Sequence, residues 1–260
     1  MRFKFSLEVL PQVSGTVLPI SYQSELATAF RNMLSNDPTV YNDWLHMNGF
    51  DPANDRHLQF YSVSNLYVPK ILVFEDRLQI NVPRIQFWAS FLPEVGTRDL
   101  LDQVLEGREF SIGDQKSAVS FRISEISDVS PVMFMERMEY QSLAPVVVKA
   151  LRQNQTLEYL PPQNPYYAQF IYDGLVDRWE QFYQRPFEGI RGFRFTLLAP
   201  ERRKAVNVCA GTPEAQKEVG YMLKFRIEMD PILQEFAYLL GIGDDLDKGF
   251  GYLELLKKKK

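Results

Sequence analysis

The sequence predicts an α+β protein made of two tandem ferredoxin-like units, each running β-α-β-β-α-β. Three observations predict it. The chain opens on an alternating strand that leads into a helix, the same order of strand-like and helix-like segments is traversed twice, and a break at "DVSP", residues 128–131, separates the two passes. At 260 residues there is length for one large domain or two of ordinary size. The expected division is residues 1–129, residues 130–256 and a basic tail, 257–260.

Phe3, Phe5, Leu7 and Val9 alternate with Arg2, Lys4, Ser6 and Glu8, the pattern of a half-buried strand. After a loop to Pro19, Tyr22, Leu26, Phe30 and Met33 or Leu34 recur at helical spacing. A second helix starts near Pro38, turns Val40, Tyr41, Trp44 and Leu45 inward, and stops at Asn48–Gly49, a pair suited to a helix C-terminus. "HLQFYSVSNL" and "ILVFEDRLQINV" read as strands, "RDLLDQVLEG" as a helix ending at Gly107, and "KSAVSFRISEI" as a further strand. In the second pass "VMFMERMEYQSLAPVVVKAL" is strand-rich, and "NPYYAQFIYDGLVDRWEQFYQ" is a long helix studded with aromatics. "GFRFTLLA", "KAVNVC" and "GYMLKFRIEM" read as strands. Asp230 is the N-cap and Pro231 the first residue of the helix "DPILQEFAYLL", and "GFGYLELL" is the closing strand.

Hydrophobic residues make up 45% and charged residues 24% of the chain, the balance of a soluble globular protein, and no apolar run nears the ~20 residues of a membrane span. The alternating start "MRFKFSLEVL" is unlike a signal peptide, so a cytoplasmic location is expected. The single Cys209 excludes an internal disulfide and a cysteine-based zinc site, and reads as a small buried hydrophobe. The sequence holds no HExxH or paired His-Asp motif, and neither a metal nor another cofactor is expected. Lys and Arg number 29 against 33 Asp and Glu, a net −4; without Lys257 to Lys260 the balance is 25 against 33, or −8. A uniformly basic nucleic-acid binder is thereby excluded. Locally the balance reverses: Arg185, Arg191, Arg194, Arg202, Arg203 and Lys204 stand within twenty residues against only Glu188 and Glu201. This cluster is either a solvated hairpin or a strand and loop that face phosphates.

The stretch "GIGDDLDKGFGYLEL", residues 241–255, holds four glycines. It is no dinucleotide fingerprint, because the glycines follow a helix, Leu246 stands in the third glycine position, and Asp244, Asp245 and Asp247 would repel a pyrophosphate. Lys248 to Leu255 nearly meets the RNA-recognition octamer, although that octamer lies on an internal strand. The remaining reading is a structural turn. Taken with "LPISYQSELATAF" after the opening strand, "LHMNGF" before the second and "LAPVVV" early in the second half, this ending resembles the CRISPR-associated repeat-RNA endoribonucleases of the RAMP superfamily.

The resemblance covers nearly the whole chain. It implies a metal-independent endoribonuclease that binds CRISPR repeat RNA and cleaves precursor CRISPR RNA by attack of the 2′-hydroxyl on the adjacent phosphate, leaving 5′-hydroxyl and 2′,3′-cyclic or 3′-phosphate ends. The implied partner is CRISPR repeat RNA; other subunits of a CRISPR effector complex and a second copy of the chain are further candidates. Such chemistry needs a base, an acid and positive charge at the phosphorus. The chain has two histidines. By the resemblance, His46 in "WLHMNGF" is the family's catalytic histidine; on its own it reads as a helix-end residue bonded to nearby carbonyls. His57 in "DRHLQF" reads as a surface or structural residue, with catalysis in reserve. The family's helper tyrosine and lysine are absent, and Arg31, Tyr41 and Arg56 are the substitutes, of which the arginines offer charge but no base. RNA contacts are implied for the backbone N–H groups of Gly241, Gly243, Gly249 and Gly251, for Lys248, and for the "ERRKAV" hairpin through Arg202, Arg203 and Lys204, with Arg191 and Arg194 extending the track. Phe250 and Tyr252 read as stacking platforms or as core. A non-catalytic repeat-RNA-binding subunit and a ferredoxin-like protein-interaction module are the alternative readings.

Overall fold

The first half of the chain is laid down as β1 (Arg2–Val9), α1 (Pro11–Ser14), β2 (Val17–Pro19), α2 (Gln23–Leu34), α3 (Pro38–Met47), β3 (Tyr61–Val63), β4 (Ile71–Phe74), β5 (Arg77–Ile80), β6 (Arg84–Phe91), α4 (Thr97–Val104), β7 (Glu109–Gly113) and β8 (Ala118–Asp128). The second half continues with β9 (Arg137–Ser142), β10 (Lys149–Leu151), β11 (Leu157–Tyr159), α5 (Tyr167–Tyr183), β12 (Arg194–Leu197), β13 (Arg202–Val208), β14 (Gln216–Met222), β15 (Lys224–Glu228), α6 (Pro231–Leu240), a 3-10 turn at Leu246–Lys248 and β16 (Leu253–Leu255). The structure, a computed structural model, describes residues 1–55, 57–152, 154–190, 192–209 and 215–256.

Two antiparallel sheets carry the fold, ordered β3-β6-β1-β8-β7 and β12-β15-β9-β16. Taking the main strands of each half in chain order, both sheets run second, third, first, fourth, which is the ferredoxin-like arrangement. The expected tandem is therefore present. The apolar face of β1 is buried as expected, with Phe3, Phe5 and Leu7 at 0% exposure, but the strand is central rather than half-buried, since Arg2 and Ser6 on its other face are buried as well. Phe5 stacks on Phe87 of β6 at 4.7 Å between centroids, and Phe30 of α2 meets both rings edge-on at 5.6 and 5.8 Å. These aromatic contacts seat α2 on the sheet and fix which of its flanks faces outward.

Several strands differ from expectation. "ILVFEDRLQINV" is not one strand but the hairpin β4–β5, reversed at Glu75, whose φ of 51° lies in the left-handed region. The third strand of the first unit is β6, in which Ile85, Phe87, Ala89 and Phe91 face inward at period two. "HLQFYSVSNL" is extended as a paired strand only over Tyr61–Val63. β7 was not expected, and "GYMLKFRIEM" divides into β14 and β15 at Leu223, whose N–H donates to Ser142 Oγ at 2.9 Å. "GFGYLELL" pairs only at Leu253–Leu255, because Gly249 and Gly251 adopt φ of 81° and 73°, outside strand geometry.

Polar clamps join the halves. Arg2 of β1, buried, donates from Nε to Ser90 Oγ at 2.8 Å and from Nη2 to the Tyr238 carbonyl of α6 at 2.5 Å, with its guanidinium 3.4 Å from the Tyr238 ring centroid. Ser62 Oγ donates to the Leu239 carbonyl at 2.7 Å. Among the described residues no helix is long and apolar enough to cross a membrane.

Candidate active cleft and nucleic-acid interface

A cleft of about 690 Å³ opens between α2, α3, the segment before β3 and the 3-10 turn at Leu246–Lys248. Arg31, Tyr41, Asn42, His57, Tyr61 and Asp247 are among its polar lining residues, with Ser35, Gln59 and Ser62. Local structure explains each placement. Leu26, Ala27, Phe30 and Leu34 bury the inner flank of α2, so Arg31 projects from the last turn, where a cation also suits the helix dipole. Asp37 caps α3 by accepting from the N–H groups of Thr39 and Val40 at 3.1 and 3.3 Å. Trp44, buried on α3, donates from Nε1 to Thr97 Oγ1 at 2.9 Å and thereby sets the rotation of the helix that turns Tyr41 and Asn42 to the cleft.

His57 is held by a compact turn. Asp51 Oδ1 accepts from the Ala53 N–H at 2.9 Å, and Asp55 Oδ2 accepts from the Asp51 N–H at 2.8 Å. His57 Nδ1 lies 3.0 Å from the Asn54 carbonyl oxygen, which can only accept, so this nitrogen carries the proton of the contact. In the neutral ring Nε2 is then left as an acceptor. His46 is exposed on the last turn of α3 and does not line the cleft, but it stands four residues beyond Asn42, on the same flank of the helix. The helix end beneath it is fixed by Asn48, whose Nδ2 donates to the carbonyls of Trp44 and Val95 at 2.8 and 2.9 Å.

Burial pushes the Tyr41 phenol up to about 12. Burial also raises Tyr61, with Tyr41 and Asp247 adding to the effect and Arg31 opposing it. Both phenols are therefore protonated donors near neutrality, not bases. Among the described residues no group of three or more His, Cys, Asp or Glu is placed to hold a metal ion.

The structure thus brings Arg31 and Tyr41 together with His57, the reserve candidate, and leaves His46 outside the cleft lining. Arg56 and Arg191 lie outside the described residues. Tyr61, Asn42 and Asp247 were missed by sequence reasoning; Tyr61, four residues after His57 in "HLQFYS", was the signal available.

The glycine stretch corrects an expectation. Gly241, Gly249 and Gly251 donate their N–H groups to the carbonyls of Ala237, Leu246 and Pro145 at 2.8, 3.1 and 2.9 Å, so these donors face the protein's own backbone rather than a phosphate. A Cβ on Gly243 would lie 2.3 Å from the Val147 carbonyl oxygen, and one on Gly251 2.2 Å from that of Ile242. The glycines are needed for close approach of main chain to main chain. Lys248 is likewise engaged: its Nζ is 3.1 Å from Asp245 and 3.6 Å from Glu218. Phe250 and Tyr252 are buried in the core. Cys209 is half-buried, and its N–H donates to Ser24 Oγ at 3.3 Å.

The basic hairpin stands differently. Arg202, Arg203 and Lys204 of β13 are exposed, and among the described residues none has an ion-pair partner. Arg194, 74% exposed, has only a 3.8 Å contact with Glu228. β13 reaches back to the first half, where the N–H of Asn207 donates to Ser21 Oγ at 3.2 Å, one turn before α2.

No curated protein matches the sequence. Solved structures do match the fold: a Cas6-related gene product from Pyrococcus furiosus, with TM-score 0.79 at 18% identity over 100% of this chain and 99% of that one; a CRISPR-associated protein Cas6, 0.77 at 20% over 99% of each; and a RAMP protein binding different RNA substrates, 0.79 at 19% over 99% of this chain and 100% of that one. The family model for the C-terminal part of CRISPR-associated protein Cas6 matches residues 129–255. Residues 129–255 thus match the C-terminal part of the Cas6 family, and the whole chain takes a fold that such structures share from end to end.

Proposed function

We propose that the protein binds CRISPR repeat RNA along the basic hairpin and cleaves it in the cleft, without a metal, by attack of a 2′-hydroxyl on the adjacent phosphate. The observation that carries this reading is the grouping of His57, with Nδ1 committed to the Asn54 carbonyl, beside Arg31 and Tyr41 in one cleft, with His46 exposed one turn beyond the lining residue Asn42 on α3. His57 Nε2 takes the 2′-proton as the 2′-oxygen bonds to phosphorus. His46, as imidazolium, gives a proton to the departing 5′-oxygen as its bond to phosphorus breaks. Arg31 and the Tyr41 hydroxyl donate to the nonbridging oxygens, where charge accumulates. The products are a 2′,3′-cyclic phosphate and a 5′-hydroxyl. Asp247 on the opposite wall disfavours phosphate there and keeps the scissile group on the α2–α3 side. Residues 1–129 supply the reacting groups of the cleft, and 130–256 supply its far wall and the RNA grip, in the cytoplasm.

One observation favours a second reading: His46 is outside the cleft lining, as it would be in a repeat-RNA-binding subunit without activity. The test incubates the protein, in EDTA, with its repeat RNA and with the same RNA carrying a 2′-deoxy nucleotide before the cut. Cleavage of the first alone, reduced at least 100-fold by His57→Ala and by His46→Ala, is expected, since general acid and base catalysis contribute about 10²–10⁴-fold each. Tight binding with no cleavage selects the second reading, and no binding overturns both.

A further inference from the structure

Behind the active cleft lies a second cavity of about 520 Å³, walled by the segment that ends α3, the end of α5 and the Leu92–Val95 turn. Leu58 belongs to the walls of both hollows, so the segment that carries His57 divides them back to back. The volume falls within the roughly 300–1,000 Å³ of pockets that hold small-molecule ligands. Its apolar wall is aromatic: Phe50 and Phe182 meet at 4.9 Å between centroids, and Phe182 and Tyr183 at 5.0 Å. Tyr183 is 43% exposed, leaving part of its surface open to the solvent.

The charged groups in the lining are carboxylates, Asp55 and Glu94; of the neutral ones, Gln184 donates from Nε2 to the Gln181 carbonyl at 2.6 Å and Tyr183 carries a hydroxyl. Asn48 is spent on the α3 end, as described above, and its Oδ1 also accepts from the Val95 N–H at 3.1 Å. Asp55 gives Oδ2 to the Asp51 N–H, while its other oxygen accepts no hydrogen bond among the described residues. The Glu94 side chain is 68% exposed, with only a 3.8 Å contact to the Met1 amine. Two carboxylates repel a phosphate but accept from N–H donors. The wall is not a plane, since Phe50 and Phe182 are inclined at 55° and Phe182 and Tyr183 at 73°, but the part-exposed Tyr183 ring offers a face beside carboxylate acceptors, which fits a nucleobase. Guanine alone among the four RNA bases offers two adjacent N–H donors, N1–H and N2–H, on one edge. Adenine and cytosine set one amino group beside a bare ring nitrogen, and uracil sets one N–H between two carbonyls.

We infer that this cavity receives an unstacked guanine of the RNA strand, one that neighbours the phosphate in the active cleft. The inference rests on the proposed RNA cleavage, and it adds a base-reading subsite outside the reacting groups. A carboxylate accepting both donors confers about tenfold preference, at the low end of the roughly 1–3 kcal/mol that a bidentate base contact supplies.

The test uses repeat RNAs of one length with guanine, inosine, adenine, cytosine or uracil at each of the two nucleotides on either side of the cut, and measures both affinity and single-turnover cleavage. Expected is a preference of about tenfold for guanine at one of these positions, weakened with inosine, which lacks the N2 amine, and erased in Glu94→Gln or Asp55→Asn. Tyr183→Ala is expected to weaken all bases at that position alike. Equal affinity and rate for every base at all four positions overturns the inference while leaving the cleavage reading intact. A guanine preference that survives both carboxylate variants also overturns it. Failure of every RNA to bind or be cut sinks the cleavage reading, and this one with it.

Discussion

Tyr41 shows how a single environment limits what a residue can do. The desolvation that raises its phenol to about 12 leaves it protonated throughout the range in which RNA is handled, so it can donate to a phosphate oxygen but cannot take a 2′-proton. Removing that hydroxyl should cost one hydrogen bond, about 1 kcal/mol, or roughly fivefold in the single-turnover rate. Because Tyr41 does not titrate near neutrality, the rate–pH profile of Tyr41→Phe should keep the wild-type shape and shift only in height between about pH 5 and 9. A lost or displaced limb in that profile would mean that Tyr41 moves a proton after all. His57 illustrates the opposite case, a residue whose role depends on its second nitrogen: the Asn54 carbonyl selects the tautomer, and it does so from a turn held by Asp51 and Asp55.

At the scale of elements, the hairpin β13–β14 and the glycine stretch were both expected to meet RNA, and only one has the free groups to do so. With Arg202, Arg203 and Lys204 replaced by alanine, about three phosphate contacts are lost, so the slope of log affinity against log salt should flatten by about 2 for single-stranded RNA, taking ~0.7 per contact. A slope unchanged in that triple variant would remove the hairpin from the interface. The two elements also show what the sequence discloses. Period-two and period-3.6 patterns carried β1, α2, α3, α5 and α6 because each sends an apolar flank into the core, and periodicity is the direct consequence. The hairpin β4–β5 was misread as one strand because a left-handed non-glycine, Glu75, makes its turn, and no glycine or proline marks the place. The cleft was partly legible: two histidines, two arginines and Tyr41 could be named, but which of them share a cavity depends on contacts between α2, α3 and the distant 3-10 turn. For the glycines, spacing could not tell approach to a phosphate from approach to the chain's own carbonyls, because both demand the absence of a Cβ.

Across the whole molecule, the hairpin and the cleft are linked through an ionic quartet built around one buried carboxylate. Glu218 of β14, its side chain 1% exposed, lies 2.9 Å from Lys149 Nζ of β10 and 3.6 Å from Lys248 Nζ, and Asp245 pairs with both lysines. The 3-10 turn that carries Lys248 lies against α2, where a Cβ on Gly249 would come 3.0 Å from the Gln23 carbonyl oxygen. The hairpin is thus tied through four charges to the helix that bears Arg31. Removing one member leaves its partners half-buried and less compensated, which costs more than the intact cluster contributes. Glu218→Ala should therefore lose about 3 kcal/mol in denaturant unfolding, whereas Glu218→Leu combined with Lys149→Met should recover more than half of that loss. Strict additivity of the Glu218 and Lys149 substitutions would show that the two charges are uncoupled. The quartet also sets a direction with pH. Burial alone would raise Asp245, but hydrogen bonds and charge from Lys149 and Lys248 outweigh it and hold the carboxyl below its ordinary value. A carboxylate lowered by folding contributes stability above its unfolded value, about 3.9, and loses that contribution as pH falls through the folded one. Acid should thus weaken the wild type more steeply below about pH 4 than a variant carrying Asp245→Asn, and parallel acid limbs in the two would place the coupling elsewhere.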